Sequence, residues 1–161
     1  MKIVLISDSH GNIANLKHVM GFAKKIDAGA IIHCGDWNNI ESVKTVLSSG
    51  IPLYSILGNA DIDESIANRL QTTAKKFTRT FLELELDGKK VGVIHNSKHL
   101  RPSVESVSSI RYLNILFSGH THKQSEYFIN DLRVVNPGAL ENGISFAIYD
   151  TEKDKVEFIH E

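Results

Sequence analysis

Lys2-Ile3-Val4-Leu5-Ile6-Ser7-Asp8-Ser9-His10-Gly11-Asn12 opens the chain. Its first half is apolar and rich in β-branched residues, and it breaks at a polar, Gly-containing turn. That pattern reads as a buried strand delivering its last residues to a sheet edge. In open α/β sheets, ligands collect beyond the carboxyl ends of the strands. Asp8 and His10, a hard oxygen donor and an imidazole, are therefore placed where chemistry is expected.

The same unit repeats outward from this stretch. After Asn12, a plausible N-cap, Ile13, Leu16, Val19, Met20, Ala23 and Ile26 recur at helical spacing. Ala30 to Cys34 is a second apolar run ending in Gly35-Asp36, and Ile40, Val43, Val46 and Leu47 mark a second helix. Leu53 to Leu57 empties into Gly58-Asn59-Ala60-Asp61, followed by Ile62, Ile66 and Leu70 as a third helix at four-residue spacing. Such alternation implies a parallel sheet with right-handed crossovers. The second half changes character. Phe81 to Leu86 and Val91 to His95 flank Asp87-Gly88, a hairpin signal, and a short helix is expected over Arg101 to Ile110. Asn114 to Ser118 ends in Gly119-His120-Thr121-His122. Hairpins then follow from Ser125 to Ile129 with Leu132 to Val135, and from Ser145 to Tyr149 with Lys155 to Ile159.

With 161 residues, one domain over 1–161 is expected, with no repeat, linker or low-complexity tract. The formal net charge of -1 provides no global field for nucleic acid or an anionic membrane, so an anionic substrate must be held locally. Cys34 is the single cysteine, which excludes an internal disulfide framework and points to a buried thiol in a reducing compartment, the cytoplasm. No apolar stretch reaches the roughly 20 residues of a membrane span, and no basic region with a cleavable apolar segment opens the chain, so it is expected to be unprocessed.

Five predicted strand ends carry metal-type ligands: Asp8 with His10, then Asp36, Asn59, His95, and His120 with His122. Each has an ordinary explanation alone. Asp36 could cap the following helix, Asn59 could be a turn residue, Asp61 and Glu64 could form a capping pair, and His120 and His122 could be loop histidines. Jointly these explanations fail, because every strand would have to end by accident in a metal-competent side chain, most beside a Gly that permits close approach.

Asp8-x-His10, Gly35-Asp36, Gly58-Asn59, His95 and Gly119-His120-x-His122 together resemble the motif series of the calcineurin-like metallophosphoesterases, in particular their small, single-domain bacterial and archaeal phosphodiesterase branch. The resemblance spans essentially the whole chain, including Asn136-Pro137-Gly138. It implies an α/β fold, a four-layer αββα sandwich of two mixed sheets with flanking helices. It also implies two divalent metal ions, with Asp8, His10, Asp36 and His122 on one and Asp36, Asn59, His95 and His120 on the other. Asp36 bridges them, and Asp36, Asn59 and His95 take catalytic parts. Two ions about 3.5–4 Å apart would share and acidify a water and bind the phosphoryl oxygens of an in-line displacement. Mixed N/O ligation without thiolate suits Mn, Fe, Ni or Zn better than Ca.

The sequence departs from the family pattern at two positions. Relatives active on phosphomonoesters mostly have His after the Gly-Asn pair, where this chain has Ala60. Asn96 stands where the family usually has Gly after its His. Lys98 and His99 are candidates for contacting substrate phosphate or protonating a leaving group, or they are solvated loop residues. Trp37 could stack on an aromatic group of the substrate or pack against the Asn59 loop. The reading that results is a metal-dependent phosphodiesterase acting on a small phosphodiester, with a possible homo-oligomer formed through exposed strands. The alternatives are a phosphomonoesterase and a non-catalytic protein-binding scaffold, for which the family has a retromer-type precedent with a degraded metal site.

Overall fold

The computed structural model describes residues 1–99 and 110–161. The first strand, β1 (Lys2–Ile6), shows how the layers are built. Ile3 and Leu5 face one core and Val4 and Ile6 another, all four fully buried. Alternate side chains of a strand point to opposite faces, so an unbroken apolar run is covered on both sides.

The larger sheet contains β1, β2 (Ala30–His33), β3 (Leu53–Ser55), β4 (Lys76–Phe77), β10 (Ser145–Asp150) and β11 (Lys155–His160), in the order β11-β10-β1-β2-β3-β4. From β1 to β4 the pairing is parallel, and β10 and β11 close the other edge antiparallel. The second sheet contains β5 (Phe81–Leu86), β6 (Lys89–Ile94), β7 (Ile115–Phe117), β8 (Gln124–Ile129) and β9 (Leu132–Pro137), in the order β5-β6-β7-β9-β8. Both sheets are mixed. Ile3, Leu5 and Ile32 meet Leu82, Val93 and Phe117 between them.

Three helices cover the outer face of the larger sheet: α1 (Ile13–Lys25), α2 (Ile40–Leu47) and α3 (Glu64–Thr73). Leu16, Val19, Val43, Val46, Ile66 and Leu70 form their buried stripe. Asn12 caps α1 as expected, its side-chain oxygen accepting from the Asn15 N–H at 3.1 Å. Two caps differ from the sequence expectation. Asn39, rather than Asp36, caps α2, and Asp63, rather than Asp61, caps α3. Ile62 precedes α3 and is 89% exposed, so its four-residue spacing to Ile66 was coincidental. The two-residue strand β4 had no sequence expectation; Lys76 and Phe77 pair with Tyr54 and Ser55.

On the far face of the second sheet, Leu116, Leu132 and Val134 pack with Ile110 and Leu113. The helix expected over Arg101 to Ile110 falls, apart from Ile110, outside the described residues. Among the described residues no helix is long and apolar enough to cross a membrane.

Candidate metal centre

The parallel strands β1, β2 and β3 of one sheet and β6 and β7 of the other run out toward a common rim. The first two loops beyond it stay laced together: the N–H groups of Asp8, His10 and Gly11 donate to the carbonyls of Gly35, Asp36 and Trp37 at 3.0–3.1 Å. The Gly119 N–H donates to the His95 carbonyl at 2.9 Å, joining the loops of the second sheet. Across the two sheets, the His120 N–H donates to Asp8 Oδ2 at 2.9 Å.

Asp8, His10, Asp36, His120 and His122 all have left-handed backbone, with φ between 42° and 71°. For non-glycine residues such geometry costs on the order of 1–3 kcal/mol each and persists only where the surroundings enforce it. At Gly58 and Gly119 the chain approaches so closely that an added Cβ would overlap Asp36 Oδ1 and Ser7 Oγ, respectively. Gly58→Ala is therefore expected to displace the Asp36 carboxylate, weakening metal binding at least tenfold and lowering stability by about 1–3 kcal/mol. Calorimetric metal titration and thermal melting would check both effects.

The seven side chains singled out in the sequence converge. Asp36 Oδ2 lies 3.5 Å from His10 Nε2 and 3.3 Å from His95 Nε2. Asp8 Oδ1 lies 3.3 Å from His122 Nε2. Asn59 Oδ1 is 3.0 Å from both His95 Nε2 and His120 Nδ1. Two donor sets have all their atoms within 4.8 Å of one another, Asp8 with His10 and His122, and Asp8 with Asp36 and His95. In this arrangement Asp8, as well as Asp36, stands between the two groups.

The proton inventory shows what this geometry accommodates. His95 Nδ1 donates to the Cys34 carbonyl at 2.8 Å, so in the neutral ring Nε2 bears a lone pair. That lone pair faces two acceptors, Asp36 Oδ2 and Asn59 Oδ1, which is repulsive unless a proton or a cation lies among them. Buried His10 Nε2 has no hydrogen-bond partner. An orphaned imidazole nitrogen, a lone pair aimed at oxygens and two buried carboxylates form a donor set fitted to divalent cations. Without a cation, protons take their place. Burial acts to raise the Asp36 pKa, but the His95 hydrogen bond, the Ala60 N–H and the His95 and His10 charges carry it down to about 2. Burial acts to lower the His95 pKa, and the Asp36 hydrogen bond and charge together with the Cys34 carbonyl raise it.

The calcineurin-like phosphoesterase superfamily domain matches residues 1–154. The chain belongs to this superfamily. A curated relative, a phosphodiesterase of Methanocaldococcus jannaschii, is 25% identical over 162 residues, with 95% of each chain covered. Among solved structures, an archaeal phosphodiesterase matches with a TM-score of 0.85 at 23% identity over the full length of both chains. A phosphoesterase of E. coli matches at 0.71 and 19% identity, covering 99% of this chain and 98% of the other.

The remaining candidates in this calcineurin-like phosphoesterase divide clearly. Trp37 is fully buried; its ring stacks on His33 with centroids 3.5 Å apart, and its Nε1 donates to Ser55 Oγ at 3.0 Å. The expectation that it could stack on substrate is corrected, because an indole whose face and N–H are both satisfied in the core is withdrawn from the cleft. His99 lines a cleft of about 670 Å³ with Asn59, His95 and His120. Lys98 is exposed, its N–H held by Asn96 Oδ1 at 3.0 Å. Asn96 also lines the cleft, so its side chain occupies space that a Gly would leave open.

Three residues support the site in roles the sequence reading did not assign them. Asp61 is buried and accepts from the N–H groups of Asp36, Asn38 and Gly58 at 2.8–2.9 Å, clamping the two loops that carry Asp36 and Asn59. Buried His33 accepts the Gly35 N–H at Nδ1 and donates from Nε2 to Ser9 Oγ, bracing the Asp36 turn from below. Burial holds its pKa well below the ordinary range, so it stays neutral. Asn136 Nδ2 donates to the Gly119 carbonyl at 2.6 Å, tying the Asn136-Pro137-Gly138 loop to the His120 turn. Asp61 and His33 stand near glycines at strand ends, but no spacing rule separates them from caps and core residues.

Proposed function

We propose that this chain is a metal-dependent phosphodiesterase that holds two divalent ions, one among Asp8, His10, Asp36 and His122 and the other among Asp36, Asn59, His95 and His120. The observation that carries the reading is the orphaned His10 Nε2 facing Asp36, with the His95 lone pair facing Asp36 and Asn59 beside it. Divalent ions held there would supply an acidified water and positive charge for the phosphoryl oxygens. The protein's own contribution is positioning. The Cys34 carbonyl fixes the His95 tautomer, the Ala60 N–H fixes Asp36 Oδ1, and the His120 N–H fixes Asp8. Outer hydrogen bonds of this kind orient ligands and raise their basicity. The preference for diesters follows from Ala60, because a monoester dianion needs a positioned proton donor that this turn lacks. All seven donors are present and convergent, which disfavours a scaffold with a degraded site.

The test is metal analysis of the purified protein together with hydrolysis of bis(4-nitrophenyl) phosphate and 4-nitrophenyl phosphate, before and after chelation. Two equivalents of Mn, Fe, Ni or Zn, faster cleavage of the diester, and loss and recovery on chelation and reloading are expected. Stoichiometric metal without cleavage of either ester would favour the scaffold.

Acid should oppose metal binding, because a proton and a cation compete for His95 Nε2. Loading measured by calorimetry is expected to fall between about pH 8 and about pH 5, and to recover as the pH rises again. In the metal-free protein the His95 contribution should run the opposite way, while buried His33, held neutral, adds stability as pH rises through its ordinary 6.5 whether or not metal is bound. A His whose folded pKa lies above its ordinary 6.5 stabilises fully below that value and loses the contribution as pH rises through the folded pKa. Asp36, depressed from 3.8 to about 2, contributes above 3.8 and loses the contribution as pH falls toward about 2. Melting temperatures with and without Mn across this range would read both trends, and parallel curves would contradict the assignment of His95 as a ligand.

A further inference from the structure

The cleft of about 670 Å³ beside the centre reaches His95 and His120 at one side and is walled by Leu57, Phe81 and Ile94. Its volume falls within the usual range for small-molecule sites and is several times what a phosphate group needs. The wall is preformed. Phe81 and Ile94 are cross-strand partners in the β5–β6 ladder, and the Leu57 N–H is tied to the Arg79 carbonyl at 3.2 Å. All three side chains are half-buried, leaving apolar surface toward the cleft.

Arg79 is the cation that would argue for an anion in this cleft, but its charge is already matched. Its Nη1 and Nη2 donate to the two carboxylate oxygens of Glu64 at 3.1 and 2.6 Å. A guanidinium closed in this two-pronged way offers little attraction to another anion.

We propose that this cleft receives one ester arm of the substrate, and that the arm it selects is a flat, uncharged aromatic ring rather than a second anionic group. The inference rests on the phosphodiesterase reading and adds the class of substituent. An aryl arm satisfies it, since it presents a planar π-face to Phe81 and apolar edges to Leu57 and Ile94.

Three phosphonates test this without bond cleavage, so that leaving-group acidity plays no part: phenylphosphonate, methylphosphonate and 3-phosphonopropionate. Their dissociation constants would be measured by calorimetry on the Mn-loaded full chain. Phenylphosphonate is expected to bind about tenfold more tightly than the other two, from burial of the ring. Phe81→Ala should reduce that ratio below about threefold while leaving methylphosphonate affinity unchanged. Glu64→Gln, at an exposed helix start, should free Arg79 and raise 3-phosphonopropionate affinity several-fold, giving a second readout if Phe81→Ala folds poorly. Equal binding of phenyl- and methylphosphonate would overturn the aromatic arm while leaving the phosphoesterase reading intact. Tightest binding of 3-phosphonopropionate by the parent would also overturn it, making the cleft an anion site. Failure of all three to bind, with no hydrolysis of bis(4-nitrophenyl) phosphate, would overturn both readings. Failure to bind with hydrolysis retained would overturn the arm alone.

Discussion

Asp36→Ala is expected to lose at least one of the two metal equivalents and to reduce turnover of bis(4-nitrophenyl) phosphate by about 10²–10³-fold or more, the range for removing one group that stabilises developing charge. The size of the effect follows from its position. One Asp36 oxygen faces both His10 and His95, and the other is held by the Ala60 N–H. Asp8 is held in the same manner, its Oδ1 lying 3.3 Å from His122 Nε2 and its Oδ2 accepting the His120 N–H. The fold should survive, because the turn is also held by Asp61, which accepts the residue 36 N–H whatever side chain is present, and by the His33–Ser9 bond beneath it. Circular dichroism would confirm survival, elemental analysis would count metal, and the diester assay would give the rate. His10→Ala should have a smaller effect, since in the proposed centre His10 belongs to one ion's donor set only. Near-parental turnover in Asp36→Ala would end the two-metal assignment.

The second large effect concerns proton supply. Ala60 follows Asn59 directly and is half-buried, its N–H donating to Asp36 Oδ1 and its carbonyl accepting from the Ile62 N–H at 3.0 Å. Without an imidazole there, the leaving oxygen departs with little protonation, and rate should fall steeply as the leaving group's pKa rises. Ala60→His is expected to raise activity on alkyl monoesters relative to aryl diesters, within the about 10²–10⁴-fold typical of general acid catalysis. Asp61, the adjacent carboxylate, will not orient the new ring, because its oxygens already accept three backbone N–H groups. A gain toward the lower end of that range is therefore expected. A flat leaving-group dependence in the parent, or an unchanged substrate ratio in Ala60→His, would show that another residue already supplies the proton. His99, on the wall of the same cleft, would be the next to replace.

Particular residues show why some of this was legible from sequence and some was not. The βα rhythm of the first half and the hairpins of the second were written in local periodicity, and apart from β4 the observed strands fall within a residue or two of the expected ones. Asp8, His10, Asp36, Asn59, His95, His120 and His122 stood out because strand ends are local features and their side chains are chemically distinctive. Trp37 misled because its position, directly after Asp36, says nothing about which way the ring turns. A left-handed φ of 63° at Asp36 precedes it, and its indole lies flat on His33 in the core. Asp61 looked like a cap because an acceptor with Glu three residues on, here Glu64, has the spacing of a capping pair. Only the approach of the distant 36–38 loop gave it two further donors beside the local Gly58 N–H.

By itself, then, the sequence determined most of the elements, the parallel pairing of the first half, the hairpins of the second and the identity of the convergent donors, because these depend on side-chain type and on spacing along one segment. The tertiary structure alone decided how the donors face one another. The left-handed turns at five of them, the close approach at Gly58 and Gly119, and the tautomer of His95 arise where chain segments far apart in sequence meet. The same holds for the cleft, whose wall unites Leu57 from one sheet's rim with Phe81 and Ile94 from the other sheet. Packing between sheets is non-local and depends on shape, so no window of residues along the chain encodes it.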